Sequence, residues 1–170
     1  MDALQQEYRD RGFAFLFIYV REAHPGARWP AHRSFEQKLD QARAYRERTG
    51  CTREILVDSL DGHAHRRYGC RPDMTWILDR NGIVLFKSFW SRPDVTSDVI
   101  EDILVAQDEN KRGLYGQPFY TERIAWRRPD HSHDQVMAEN GPPAIEDWKA
   151  AMERRRQQQV EDRRRGPLGF

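Results

Sequence analysis

The stretch FAFLFIYV, residues 13–20, decides the fold class of this chain. It follows Gly12, is rich in aromatic and β-branched residues, and has no polar alternation. A short apolar run of this kind, bounded by turn and charged residues, is typical of a β-strand that is buried on both faces. Such strands belong to parallel sheets that helices cover, so we expect an α/β protein.

Helix and strand signals alternate on either side of this strand. Ser34 and Gln37 form a capping box that predicts the start of a helix, and Asn81-Gly82 predicts a hairpin between two antiparallel strands. In chain order, the predicted elements are a helix over 2–11, strand 13–20, a helix over 35–50, strand 54–58, a short helix over 63–68, strands 74–79 and 83–87, and a helix over 95–107.

Apolar stripes predict the buried faces of two of these helices, because residues three or four apart lie on one side of a helix. Gly12 and Gly50 are predicted to end the helices that precede them. The two stripes consist of Phe35, Leu39, Ala42 and Tyr45 in the first case and of Val95, Val99, Ile103 and Ala106 in the second.

The chain changes character after residue 107, which divides it into a domain over 1–107 and a linker with a helical extension over 108–170. Gly113 and Gly116 mark the linker, and Pro142 or Pro143 opens a last helix. Several apolar side chains predict that the extension packs on the domain or on a second copy, as in a homodimer. These side chains are Phe119, Tyr120, Ile124 and Trp126.

The last helix ends in a basic segment. Residues 148–170 include seven basic and three acidic residues, a local charge of +4. The arginine runs 154–156 and 163–165 could contact phosphates, but the glutamines and acids between them favour a solvated helix.

The loop over residues 21–33 follows the carboxyl end of the first strand, where ligand sites of open α/β sheets collect. Glu22 and His24 are two residues apart, so both can point to one side, and His32 returns just before the helix cap. A carboxylate and two imidazoles can form a proton relay near neutral pH. The structural alternative is that Glu22 pairs with a neighbouring arginine and the histidines bond to local backbone.

Composition limits the function classes. The 170 residues are 38% hydrophobic and 32% charged, which is too polar for one tight core over the whole chain. A net charge of +1 argues against nucleic acid and membrane surfaces as partners. The longest apolar run is too short to span a bilayer, and the polar first dozen residues do not read as a signal peptide. We expect a cytoplasmic protein.

Three stretches carry a resemblance to a known family: YVREAHPGARWPAHRSFEQKL at 19–39, ILVDSLDGHAHRRYG at 55–69 and PDMTWILDRNGIVLFK at 72–87. The first is long and unusual, and it resembles the corresponding stretch of the iodothyronine deiodinases and their bacterial relatives. That family is a branch of the thioredoxin-fold proteins, and the agreement covers residues 2–106. The resemblance implies a thioredoxin-like mixed sheet flanked by helices, without its N-terminal strand.

The resemblance also implies an activity. In the family, a selenocysteine or cysteine attacks a halogen or a peroxide-like target, and a glutamate and histidines of the EAH and HRS segments assist proton transfer. The matching positions here are Glu22, His24 and His32. Trp29, which offers an aromatic surface, and Arg33 are the candidate substrate-binding residues. The partners implied are a small-molecule substrate and a thiol reductant, with no cofactor and no metal.

The nucleophile of the family lies at the end of a strand before the first helix, and Met1 of this chain resembles a position inside that helix. The attacking group is therefore expected upstream of the given residues. Either the start is misassigned and the natural chain is longer, or the chain is shortened and catalytically dead. In the second case the protein is a non-catalytic thioredoxin-fold binding or scaffold protein.

The remaining candidates favour ordinary roles. Cys51 and Cys70 are not spaced as CxxC and predict two reduced thiols, although Cys70, just before the third strand, is an alternative nucleophile. The pairs His63/His65 and His131/His133 predict surface histidines, because no neighbouring ligand completes a metal site at either.

Overall fold

The computed structural model describes residues 1–71, 73–114 and 131–165. They form a mixed α/β structure, and the helices and strands follow the predicted order except for one additional helix, over 132–140, which was not predicted. The elements are α1 (Asp2–Tyr8) with a 3-10 turn (Arg9–Arg11), β1 (Leu16–Tyr19), α2 (Phe35–Thr49), β2 (Glu54–Val57), α3 (His63–Arg67), β3 (Thr75–Leu78), β4 (Val84–Ser88), α4 (Pro93–Lys111), α5 (Ser132–Asn140) and α6 (Pro142–Arg165).

The four strands form two separate pairs, whereas the resemblance implies one mixed sheet. β1 and β2 are parallel, with Ile18 opposite Leu56. β3 and β4 are antiparallel, as the hairpin signal predicts, with Ile77 opposite Phe86 and a bulge after Ile77. Within the residues that the structure describes, each strand therefore has one edge without a neighbouring strand.

The two faces of β1 differ, so the prediction that this strand is buried on both faces is wrong. Phe17 and Tyr19 face α2, where their rings lie 5.1 and 6.1 Å from the ring of Tyr45. On the opposite face Leu16 is 56% exposed and Leu56 of β2 is 41% exposed. An apolar run predicts burial, but the cover has to come from residues elsewhere in the chain, which the run itself does not specify.

The main apolar cluster joins the two ends of the domain. Leu4 and Tyr8 of α1 pack with Ile77 of β3 and Ile100 of α4, and Phe15 before β1 packs against the same cluster. The hydroxyl of Tyr8 donates a hydrogen bond of 2.8 Å to Glu101, so its polar atom is satisfied at the edge of the core. The cluster thereby connects the first helix with the β3–β4 pair.

The caps of α2 are those that the sequence predicts. The side chain of Ser34 accepts a hydrogen bond of 3.1 Å from the backbone N–H of Gln37. The amide oxygen of Gln37 accepts one of 2.7 Å from the N–H of Arg33, so the reciprocal bond of the capping box goes to the preceding residue. Gly50 ends the helix at φ 65°, a conformation that glycine adopts without a steric cost.

The predicted stripe of α4 is confirmed in part. Val99 and Ile103 pack against the core cluster, whereas Ala106 is exposed. The buried residues of the helix are Thr96 and Ile100, which the stripe did not include. Thr96 can be buried because its hydroxyl donates a 2.7 Å hydrogen bond to the carbonyl of Arg92. The helix also begins earlier than predicted, with Pro93 in its first turn, where the missing N–H of proline carries no cost.

The extension contains the last two helices, α5 and α6, which meet at Gly141. α6 begins at Pro142, as predicted, and Ala144 in its first turn is fully buried. The apolar side chains predicted to pack this extension, Phe119 to Trp126, lie outside the described residues. In the described parts, no helix has both the length and the apolar character needed to cross a membrane.

Candidate functional site

A cavity of about 530 Å³ opens at the carboxyl end of β1. Residues of the 20–32 loop form one wall, and residues 60–66, which lead from β2 into α3, form a second. α6 of the extension supplies a third wall. Loops at the carboxyl ends of parallel strands commonly form the ligand sites of α/β proteins, and this cavity lies at such an end.

Glu22 and His32 both line this cavity, and Tyr19 at the end of β1 connects them. The hydroxyl of Tyr19 donates a hydrogen bond to the carboxylate of Glu22. His32 Nε2 lies 3.9 Å from Glu22 Oε1, and the two side chains are 5% and 20% exposed. The ring of Tyr19 lies 5.7 Å from that of His32. Two of the three predicted proton-handling residues are therefore neighbours in one cavity.

Burial governs the protonation of this group. It raises the pKa of Tyr19, and the carboxylate of Glu22 that accepts its hydrogen bond raises it further, so Tyr19 stays a donor. Burial also lowers the pKa of His32, and the attraction of Glu22 and the side chain of Gln41 oppose this only in part. His32 is therefore neutral near pH 7. It can accept a proton from a bound molecule.

His24 is turned away from the cavity, towards the extension. Its ring lies 5.1 Å from that of His133 in α5, and His133 in turn lies 5.4 Å from the ring of Trp148 in α6. Burial lowers the pKa of His24, and the neighbouring His133 lowers it further. The structure thus gives His24 contacts between the loop and the extension, and does not bring it together with His32.

Neither Trp29 nor Arg33 lines the cavity. The guanidinium groups of Arg28 and Arg48 lie 5.9 and 5.6 Å from the centre of the Trp29 ring, which is half-buried outside the cavity. Arg33 is exposed, next to the cap of α2. An aromatic ring and a basic side chain in a loop do not by themselves indicate which way the loop turns them.

Two cavity residues escaped the sequence interpretation. His65 was expected on the surface, but it is 8% exposed, and its Nε2 has no partner among the described residues. Lys38 is 2% exposed, and its ammonium donates a 3.0 Å hydrogen bond to the carbonyl of Ser59. Lys38 precedes the buried Ala42 by four residues, so its place on the same face of α2 was a signal for its burial, whereas Phe35 of the predicted stripe is 48% exposed.

The cavity wall around His65 is held by Asp58, which directly follows β2. Its carboxylate accepts hydrogen bonds of 2.8 and 3.0 Å from the backbone N–H groups of Ala64 and His65. Although burial opposes this, these bonds hold the pKa of Asp58 below its usual value. A charged carboxylate therefore fixes the start of α3, and with it the position of the His65 ring.

The other histidines and the two thiols lie elsewhere. His63 and His131 are exposed, as predicted, whereas His133 is half-buried against His24. Cys51 is buried and Cys70 is exposed, both are free, and neither lines the cavity. In the described ranges, no group of three or more His, Cys, Asp and Glu side chains is arranged to hold a metal ion.

A comparison with protein-family models gave no match for this chain, and a comparison with curated proteins gave none either. The residues of the site indicate its chemistry. A neutral buried imidazole beside a carboxylate can accept a proton, and the carboxylate stabilises the imidazolium that forms. The cavity offers proton transfer to a small molecule.

Proposed function

We propose that this protein is an oxidoreductase of thioredoxin-like fold, similar to the iodothyronine deiodinases. It removes a halogen reductively from a small molecule, or reduces a peroxide. The observation that supports this best is that Glu22 and His32 are neighbours in one cavity at the carboxyl end of a parallel strand, with Tyr19 bonded to Glu22. Proton transfer is what both reactions require of the protein beside the attacking group.

In this reaction a thiol or selenol loses its proton to His32 and attacks the halogen of the substrate. The carbon–halogen bond breaks, the carbon takes the proton back, and the halogen stays on the sulfur or selenium. Two molecules of a thiol reductant then become a disulfide, which regenerates the attacking group and releases halide and a proton. With a peroxide, the O–O bond breaks, an alcohol leaves, and the reduction releases water.

Each residue of the network has one role in this scheme. His32 accepts and returns the proton at Nε2, because its neutral form dominates near pH 7. Glu22, 3.9 Å away, stabilises the imidazolium while the proton is on it. Tyr19 orients Glu22 through its hydrogen bond. His24 acts only as a positioning residue, since it contacts the extension and not the cavity.

The attacking group comes from a segment outside residues 1–170. Neither cysteine of the chain lines the cavity, so neither is in position to react there. Each strand has one open edge within the described residues, and such an edge can pair with an additional strand. A strand that ends in cysteine or selenocysteine would complete both the sheet and the site. The two free thiols favour a reducing compartment, the cytoplasm.

The second candidate is a binding protein that uses the cavity without chemistry. The observation in its favour is the same absence of a thiol from the cavity lining of the described chain. In this case Glu22 and His32 would only recognise a ligand, and the natural product of the gene would be the chain of 170 residues.

The test compares two proteins: the chain of 170 residues, and the product of the longest in-frame start of its gene. Thiol-dependent release of iodide from 2-iodophenol and consumption of cumene hydroperoxide are measured for both. We expect turnover only from the longer product. Glu22→Gln and His32→Asn should each lower its rate by about a hundredfold or more, because general acid–base groups contribute that much.

Glu36→Gln is the matched control, since Glu36 is exposed on α2 and does not line the cavity. It should leave the rate unchanged. Turnover by the 170-residue chain that survives Cys70→Ser would contradict the proposal, and so would a longer product without any turnover. Intact mass of the native protein then decides between the enzyme and the binding protein: a mass equal to that of residues 1–170 favours the second.

A further inference from the structure

The third wall of the cavity comes from α6, outside the predicted domain. Asp147, Ala151 and Arg154 line it at intervals of four and three residues, so they share one face of the helix, and all three are exposed. The fully buried Ala144 lies on the same face, one turn earlier. The prediction of a solvated helix is confirmed, because residues 151–161 are exposed, and Arg154 of the first arginine run also lines the cavity.

Asn140, the last residue of α5, connects the extension with the 20–32 loop. It is 2% exposed, and its amide donates a 3.1 Å hydrogen bond to the carbonyl of His24 and accepts one of 3.2 Å from the N–H of Trp29. Its own carbonyl accepts a 3.0 Å bond from the N–H of Ala27. An ion pair of 2.5 Å between Arg48 and Glu139 adds a contact from α2. These contacts fix the end of α5, from which α6 starts two residues later, next to the loop.

Two of the four basic side chains that line the cavity are engaged: Arg66 is paired with Asp61 at 2.7 Å, and Lys38 is bound to a carbonyl. Arg21 and Arg154 have neither an ion pair nor a hydrogen bond among the described residues. Arg154 lies two helical turns, about 10 Å, from Asp147 on α6. A guanidinium in this setting is free to bind an anion.

Two histidines that line the cavity, His32 and His65, carry a buried Nε2. His32 interacts with the side chain of Gln41, whereas Nε2 of His65 has no hydrogen-bond partner in the described structure. Buried polar atoms are nearly always hydrogen-bonded, so Nε2 of His65 is left for a polar group of a ligand or for a water molecule. The lining also includes apolar side chains, among them Val20, Ala31 and Leu60.

We propose that α6 forms the anion-binding wall of this cavity, and that Arg154 binds the carboxylate of a small organic acid. The apolar body of the acid lies against Val20 and Leu60. An oxygen of the acid or a polar substituent on it forms a hydrogen bond with Nε2 of His65. The assignment of this acid as the substrate rests on the proposed function, whereas its binding does not. The extension is thus part of the ligand site.

Calorimetric titration of the 170-residue chain at pH 7.5 tests this, with benzoate as the probe and benzyl alcohol as its neutral counterpart. Benzoate should bind more tightly than benzyl alcohol. Arg154→Gln should weaken benzoate binding by about tenfold, because it removes a hydrogen bond between charged groups, and leave benzyl alcohol unaffected. Arg155→Gln is the matched control: it makes the same change of charge one residue later, outside the cavity lining.

Two results would overturn the inference directly: no binding of benzoate, or equal losses of benzoate affinity for Arg154→Gln and Arg155→Gln. Inorganic phosphate that binds as tightly as benzoate would also overturn it, because the apolar wall would then have no role. Binding and turnover are independent readouts. Arg154-dependent binding of benzoate supports the anion site even if the longer gene product has no turnover. Turnover without benzoate binding overturns the anion site and leaves the oxidoreductase proposal standing.

Discussion

Gly26 is the residue at which the 20–32 loop comes closest to the extension. A Cβ atom at this position would lie 2.6 Å from the carbonyl oxygen of Asn140 and 3.0 Å from the Cβ of Ala144. The backbone of Gly26 is not in the left-handed region, so the demand for glycine here is one of space and not of φ. The sequence does not indicate that glycine is required at position 26, because the residues that contact it are more than a hundred positions away.

Gly26→Ala should therefore weaken the packing of the extension. Overpacking of this kind costs about 1–3 kcal/mol, and the free energy of unfolding should fall accordingly. Limited proteolysis should also cut α6 faster than in the unchanged chain. Gly50→Ala is the control: it strains a left-handed residue at φ 65° with open space around it, and so lowers stability without speeding cleavage of α6. Equal cleavage of both variants would argue against the contact.

Among the elements, the helices were easier to predict than their burial. The start of α2 followed from Ser34, since the cap is a local hydrogen bond between residues three apart. The buried face of α4 followed only in part: Val99 and Ile103 pack against the core as predicted. The burial of Thr96 did not follow, because this residue is polar and its burial depends on a bond to the backbone of Arg92. Of the proton-handling residues, His24 contacts α5, an element that no pattern near the loop could indicate.

The contact of His24 with α5 and α6 predicts a pH dependence. Burial and His133 lower the pKa of His24 from 6.5, against the attraction of Asp147 and with a further repulsion from Arg21. As the pH falls, His24 therefore gains its proton in the unfolded chain before it does so in the folded chain. The free energy of unfolding decreases as the pH drops below about 6.5 towards the pKa of His24 in the folded chain. His32, with its pKa lowered by burial, adds to the same loss.

Denaturant unfolding of the chain between pH 7.5 and 5.5 measures this loss. His24→Gln should reduce the pH dependence, while the part due to His32 remains. His131→Gln should leave it unchanged, because His131 is exposed. A His24→Gln variant with the full pH dependence of the original chain would show that the proton is bound elsewhere. The lowered pKa values of the carboxylates act below this range, since their usual value is 3.8.

In the whole molecule, one cluster of four buried residues joins α1, β3 and α4. Ile100 is the member of this cluster on α4 and is 1% exposed. Ile100→Ala should lower the free energy of unfolding by about 2–5 kcal/mol. Val105→Ala on the same helix should change stability by less than about 0.5 kcal/mol, because Val105 is 57% exposed. Thermal unfolding compares the two. Similar losses would mean that α4 does not pack through this cluster.

The sequence by itself determined the order of the helices and strands up to α4, the start of α6, the caps of α2, the antiparallel hairpin and the loop that carries Glu22 and His32. These depend on interactions between residues a few positions apart, which a local pattern records. The separation of the strands into two pairs, the exposed face of β1 and the burial of His65 were decided only by the tertiary structure, and so was the third wall that α6 adds to the cavity. Each of them depends on which distant segments cover a surface, and long-range packing leaves no periodic trace in either partner.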